Sequence, residues 1–414
     1  MIRFSNLYDL ARPTVWIAML MAVFVALLTR CVGAGDKADS SNELQEKEMG
    51  TVYVGDETCR SCHALQVEQH FQTAHHHSSA WGNDSTILGT LQPGKNSFRF
   101  SPRLEMRMEK IGDSIFQTAY ILGDARERRP MDLVFGSGTK GQSFASWQGD
   151  RLFQLPITWF TPEHQWSNSP GFPGKAVFNR PITARCLECH ITHAEVVSAP
   201  GIQPESYKSS SFVLTISCEK CHGPADKHVA WHTKNNSDSN GRFIVNPALF
   251  TRQQQLDLCG LCHGGKLDAR ETAFSFKTGD LLTAHFNMDS IVTNPLAMDV
   301  HGNQLGLLAA SRCFTQSSMT CNSCHDPHKN ERGQLAIISQ RCQTCHQGDK
   351  QSSCGFKGIS KEMLEQKCID CHMELEPSRS VAVQLQGQDV PTAAKMRSHH
   401  IRIPTRLPDW ANKK

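Results

Sequence analysis

Hydrophobic and polar positions change their rhythm several times along this chain. MIRFSNLYDLARPTVWIAMLMAVFVALLTRC opens with Arg3 and Arg12 and then runs apolar from Val15 to Leu28. That run is short for a full membrane span and suits the core of a secretory signal. Residues 35–50, GDKADSSNELQEKEMG, are small, polar and charged, and read as a flexible linker. Between about 95 and 160 apolar and polar residues alternate, as in Phe98-Arg99-Phe100 and Met106-Arg107-Met108. Gly112-Asp113 and Gly149-Asp150 punctuate these runs where tight hairpin turns belong. FASWQGDRLFQLPITWF reads as one hairpin. From about 183 to 372 short helical pieces alternate with polar loops, and no long apolar helix or run of strands offers a conventional core. The resulting division is 1–34 signal peptide or membrane anchor, 35–50 linker, 51–90 a first Cys-His segment, 91–182 a β-rich insert, and 183–414 a Cys-His-rich domain.

Composition adds one strong signal. The 414 residues carry 43 basic and 40 acidic side chains, with no basic tract or aromatic platform that suggests nucleic acid. The unusual numbers are 17 cysteines and 20 histidines. Cys31 directly follows the apolar run, as in a bacterial lipoprotein signal. Leu28 and Thr29 fit the small-residue box of such a signal, and Arg30 does not. Cleavage after Ala34 and an uncleaved anchor are the alternatives. All three place the body outside the cytoplasm, on the periplasmic side, where oxidised cysteines persist.

Cys-x-x-Cys-His occurs seven times: Cys59-Cys62-His63, Cys186-Cys189-His190, Cys218-Cys221-His222, Cys259-Cys262-His263, Cys321-Cys324-His325, Cys342-Cys345-His346 and Cys368-Cys371-His372. This is the attachment signature of c-type haem. Two thiols three residues apart on a helical turn reach the two vinyl groups of one porphyrin. The next histidine then sits under the iron as proximal ligand. Tetrahedral zinc would combine the pairs two by two and leave one over. Disulfides would give the seven histidines no role. Seven covalently bound haems also supply the missing core, so the expected fold is mainly α with long loops, packed around stacked haems, with a small inserted β-rich module.

Seven proximal histidines leave 13, enough for a second histidine at every iron. His193 and His328 each lie three residues past a proximal histidine, and His228 lies six past. None of them can reach round its own porphyrin, but each can reach the iron of a stacked neighbour. His75 is favoured over His70, His76 and His77 near the first unit. His301 and His399 (or His400) complete the expected distal set, with His285 and His232 in reserve and His164 structural. Met373 is read as packing. Arg180, Arg185 and Arg341 are natural partners for haem propionates. The remaining cysteines, Cys313 and Cys354, are expected to form a disulfide.

The words YVGDETCRSCH with QTAH, FGSGTKGQSF, DRLFQLPITWF, RPITARCLECH, CEKCHGPADKH, HGNQ, CFTQSSMTCNSCHDPH and CIDCHMELEPS cover most of residues 52–375. In them the chain resembles the multihaem cytochrome c family related to the tetrahaem cytochrome that accepts electrons from hydroxylamine oxidoreductase. The resemblance implies a periplasmic electron-transfer protein with closely packed, mostly bis-histidine haems. It also supports His75, His193, His228, His301 and His328 as distal ligands. CHMELEPS stands where relatives often have proline after the methionine. The implied partners are redox proteins or a quinol-linked membrane complex. The alternative is a multihaem oxidoreductase, similar to nitrite reductases or hydroxylamine oxidoreductases, with one open iron. The reductases commonly mark that iron with lysine in place of histidine, whereas all seven motifs here end in histidine.

Overall fold

The computed structural model describes residues 49–172, 174–287, 294–346 and 360–404. The expected signal or anchor, Cys31, most of the linker and Cys354 lie outside these residues, and the expected Cys313–Cys354 bridge with them.

The alternating segment folds as two antiparallel sheets. The first has four strands in sequence order: β2 (Ser97–Ser101), β3 (Leu104–Ile111), β4 (Ser114–Ile121) and β5 (Asp124–Pro130), β1 (Ser79–Trp81) belonging to the second sheet. That second sheet continues with β6 (Leu133–Phe135), β7 (Gly141–Gln148), β8 (Arg151–Gln154), β9 (Ile157–Phe160), β10 (Gln165–Asn168) and β11 (Arg180–Pro181). Gly112-Asp113 joins Ile111 to Ser114, and Gly149-Asp150 joins Gln148 to Arg151. Both glycines have positive φ, +60° and +65°, the backbone a two-residue turn needs at its first position. The turn between β4 and β5 uses Leu122-Gly123 with positive φ at both residues.

Side-chain alternation decides what each face does. Met106, Met108, Val134, Phe144, Leu155, Ile157 and Trp166 point into one buried cluster with Phe98 and Ile115 from the first sheet. Gln117, fully buried, ties the two sheets together: its amide donates to Ile157 O (2.7 Å) and accepts from Ile157 N (3.0 Å). The neighbouring residues Leu133, Ala145 and Leu152 point the other way. They pack on Ala184, Leu187 and Ile191, on and just past the second motif's helix. One sheet thus has two dry faces, one for the insert and one for a haem-attachment helix.

Helices are short in the rest of the chain: α1 (Asp56–Phe71), α2 (Ala184–His190), α3 (Cys218–His222), α4 (Asp226–Lys234), α5 (Arg252–His263), α6 (Leu335–Gln343) and α7 (Cys368–His372). Two small antiparallel pairs, β12 (Val196–Ser198) with β13 (Ser206–Tyr207) and β14 (Asp268–Ala269) with β15 (Phe286–Asn287), precede the C-terminal pair β16 (Leu375–Val383) and β17 (Thr392–Arg397). The β16–β17 hairpin packs Val383, Leu385 and Ala394 on Phe160; Gln384 N–H donates to Asn168 Oδ1 (2.7 Å) and Gln384 O accepts the Asn168 N–H (3.3 Å). The C-terminal segment therefore returns to the β insert.

The expectation of a mainly α chain is corrected here. Among the described residues, helix accounts for 29% and strand for 25%. The physical reason lies in the motif itself. Presenting two thiols and a histidine needs little more than one helical turn, and α2, α3, α5 and α7 all end at the motif histidine. The fifth motif makes that turn alone, with His325 N–H on Cys321 O, and the sixth starts in the last turn of α6, with His346 N–H on Cys342 O. Strand, meanwhile, extends beyond the insert into the C-terminal hairpin.

Candidate haem-binding sites

Two imidazoles on opposite faces of one iron, each nitrogen about 2 Å from the metal, set their ring centres roughly 6 Å apart. Among the described residues, four pairs that include a motif histidine stand at that separation. His63 faces His228 at 6.4 Å, His75 faces His263 at 6.2 Å, His222 faces His328 at 6.1 Å, and His325 faces His399 at 6.1 Å. His63–His228 and His222–His328 are near parallel, at 19° and 21°. Each pair joins one motif histidine to a histidine carried elsewhere: His228 on α4 beyond the third motif, His75 beyond the first, His328 beyond the fifth, and His399 in the C-terminal segment. The donor set fits a haem iron with one histidine on each side.

Hydrogen bonds aim these rings. Nδ1 donates to Val245 O in His222 (2.8 Å), to Arg242 O in His228 (2.8 Å) and to Arg402 O in His372 (2.8 Å). His263 Nδ1 contacts Gln304 Oε1 at 3.1 Å. A carbonyl holding Nδ1–H fixes the tautomer and leaves the Nε2 lone pair for a metal. Desolvation pushes the pKa of His190 and His399 down to about 4, which favours the neutral imidazole at both. His301 lies close enough to His190 to contribute to that shift.

The other candidates are placed differently. His193 stacks on Tyr53 at 4.9 Å and meets Phe274 edge-on at 5.6 Å, with no motif histidine across from it. His285 is engaged at both nitrogens, Nδ1 with Glu271 and Nε2 with Asp280. His232 lies against His228 at 4.5 Å, and His164 caps a turn in the β insert. Among the described residues no histidine ring pair at about 6 Å includes His190, His346 or His372, although His301 lies near His190. Arg185 is engaged with Glu188 and Leu261 O, and Arg341 with Glu331 and Cys324 O. Arg180 bonds Pro170 O.

Cysteines of different motifs also meet. Cys59 lies beside Cys218, Cys189 beside Cys262, and Cys259 beside Cys321, all as free thiols. The first motif thus adjoins the third, the second adjoins the fourth, and the fourth adjoins the fifth. Longer-range neighbours are Cys221 to Cys259, Cys324 to Cys345, and Cys342 to Cys368. All seven motifs lie on one connected path, with the second branching at the fourth.

Two buried carboxylates inside the motifs hold this arrangement, and the sequence reading missed both. Glu219, 2% exposed, accepts the N–H groups of Val54, Gly55 and Ala225 at 2.8–3.1 Å. It clamps the entry of α1 onto the third motif. Glu188, also 2% exposed, takes Arg185 Nη1 and Phe274 N–H. The available signal was a glutamate between the two cysteines, in CLECH and CEKCH.

The family model described as cytochrome c554 and c-prime matches residues 143–223, from β7 through the third motif. The multiheme cytochrome MtrA of Shewanella baltica (strain OS185) is 24% identical over 178 residues, 39% of this chain and 51% of that protein. The chain therefore matches about half the length of that relative. Among solved structures, the outer cell wall cytochrome OcwA superposes with a TM-score of 0.51 at 16% identity, over 85% of this chain and 80% of that one. That likeness is one of fold. The family match and the relative support the multihaem c-type cytochrome family read from the motifs.

Proposed function

We propose that this chain, a multihaem c-type cytochrome, is an exported electron carrier with seven covalently bound haems, most of them between two histidines. The observation that carries this reading is the set of four histidine pairs 6.1–6.4 Å apart, each joining two segments of the chain. The cysteines of each motif would hold the porphyrin through thioethers. His63, His190, His222, His263, His325, His346 and His372 are the proximal ligands. His228, His301, His328, His75 and His399 are the distal ligands of the first five motifs in turn. Bound haem iron supplies one-electron redox chemistry, at low potential when both ligands are histidine. The chain's own part is spacing and orientation: carbonyls fix ring tautomers, and Glu188 and Glu219 lock neighbouring motifs together. Export and a membrane anchor at Cys31 or the N-terminal segment would set the carrier beside a redox protein or a quinol-linked membrane complex.

A second reading, a multihaem oxidoreductase, draws on one observation. No histidine ring faces His346 or His372 among the described residues, which leaves room for an open iron there. Whole-protein mass and electron paramagnetic resonance test both readings. A mass increment of seven haems with low-spin signals throughout supports the carrier. A high-spin signal that shifts on adding cyanide supports the oxidoreductase. His328→Ala is expected to turn one low-spin iron high-spin; unchanged spin states would remove His328 from the ligand set.

A further inference from the structure

We propose a metal-ion site at Asp56, His70 and His76, between the first and third motifs and separate from the haem attachment sites. Each residue offers one donor atom, and the three atoms lie within 4.8 Å of one another. His76 Nδ1 stands 3.5 Å from Asp56 Oδ2. Two donors on a tetrahedral ion with bonds of about 2.0–2.1 Å are roughly 3.4 Å apart. His76 Nδ1 is also buried without a hydrogen-bond partner. A buried nitrogen left in that condition calls for a ligand.

Each donor is already aimed by an outer contact, the arrangement that metal sites use to fix their ligands. Asp56 Oδ1 accepts the Cys218 N–H at 2.8 Å, which leaves Oδ2 for the cluster. His70 Nε2 meets Ile216 O at 3.0 Å. A carbonyl only accepts, so Nε2 carries the proton and Nδ1 keeps the lone pair. His76 stacks on Phe71 at 3.9 Å and 18°, and its main-chain N–H is held by Thr73 Oγ1 at 3.2 Å. The Asp56 side chain is 8% exposed and that of His76 23% exposed. The Asp56 and His70 side chains are thus enclosed, and the His76 ring borders solvent while its Nδ1 is turned into the cluster; a water could complete the shell. One carboxylate and two imidazoles suit a divalent first-row ion, and three protein ligands with one open position suit zinc. Asp56 opens α1, which carries Cys59, and bonds the backbone of Cys218 in α3. An ion here would fasten the first motif to the third.

The test uses the haem-loaded protein, stripped with a chelator and titrated with Zn²⁺ by calorimetry and elemental analysis. One tight ion per chain is expected, with a zinc-edge absorption spectrum showing two imidazoles and oxygen. Asp56→Asn and His76→Gln should each weaken that site at least about 100-fold. His77→Gln, at the exposed neighbouring position, should leave it intact. Asp56→Asn retains the oxygen that accepts the Cys218 N–H, so its metal-free melting temperature and haem spectrum should match the parent. No tight ion in the parent protein, or tight binding that survives both variants, overturns the site.

Discussion

The β insert and the motif region solve the problem of a dry interior in different ways. In the insert, Met106, Met108, Phe144, Leu155 and Ile157 are wholly buried against one another. In the motif region the buried apolar residues form small separate groups, such as Leu256, Leu308 and Phe314. Polar clamps and facing histidines do the joining there. Side chains alone complete the first region. The second leaves spaces between histidines that match a ligated iron, and its covalent ties are to be made through a cofactor. The contrast teaches where stability resides: in packing for one half, and in attachment for the other.

The sharpest way to break this contrast is to withhold haem. Protein made without attachment should show fast amide exchange throughout 183–372 while β3, β4 and β7 stay protected. Equal protection in both regions would end the comparison. Next in size, Phe144→Ala should cost the insert about 3–5 kcal/mol in denaturant unfolding followed by tryptophan fluorescence. The haem absorbance of the folded protein should stay unchanged. Glu219→Ala should cost about 3 kcal/mol, because three N–H groups, one buried and two part-buried, lose a charged acceptor, and this loss should appear in the haem-followed transition. A loss seen only in the tryptophan signal would assign the clamp to the wrong region. Smallest is Leu122→Gly. Leucine sits there at φ +54°, and glycine should raise insert stability by about 1 kcal/mol.

Legibility in the sequence followed the same divide. Period-two alternation and the Gly-Asp turns marked β3–β4 and β7–β8, because a strand with one face on a core writes that pattern directly. The C-terminal hairpin escaped, since Leu375–Val383 is half polar and its register is set by contacts with Phe160 and Asn168 far upstream. The motifs were legible, but they suggested more helix than one turn each requires. Among histidines, spacing marked His193 and His328 alike. Only three-dimensional placement separates them, with one against Tyr53 and the other across from His222. Glu188 and Glu219 went unread because their acceptor role depends on N–H groups brought from distant segments.

The facing histidines also bear on how the molecule can assemble. The paired rings come from positions about 70 to 190 residues apart, so the chain has a high contact order even where its local structure is helical. A chain emerging from its N-terminus presents His63 long before His228, and His75 long before His263. Under the proposed ligation, haems attached early would wait with one face open until the rest of the chain arrived. His399, near the end of the described residues, would be the last latch to close. Early intermediates should therefore bind added imidazole and release it as maturation completes, which makes exogenous ligand binding a clock for folding.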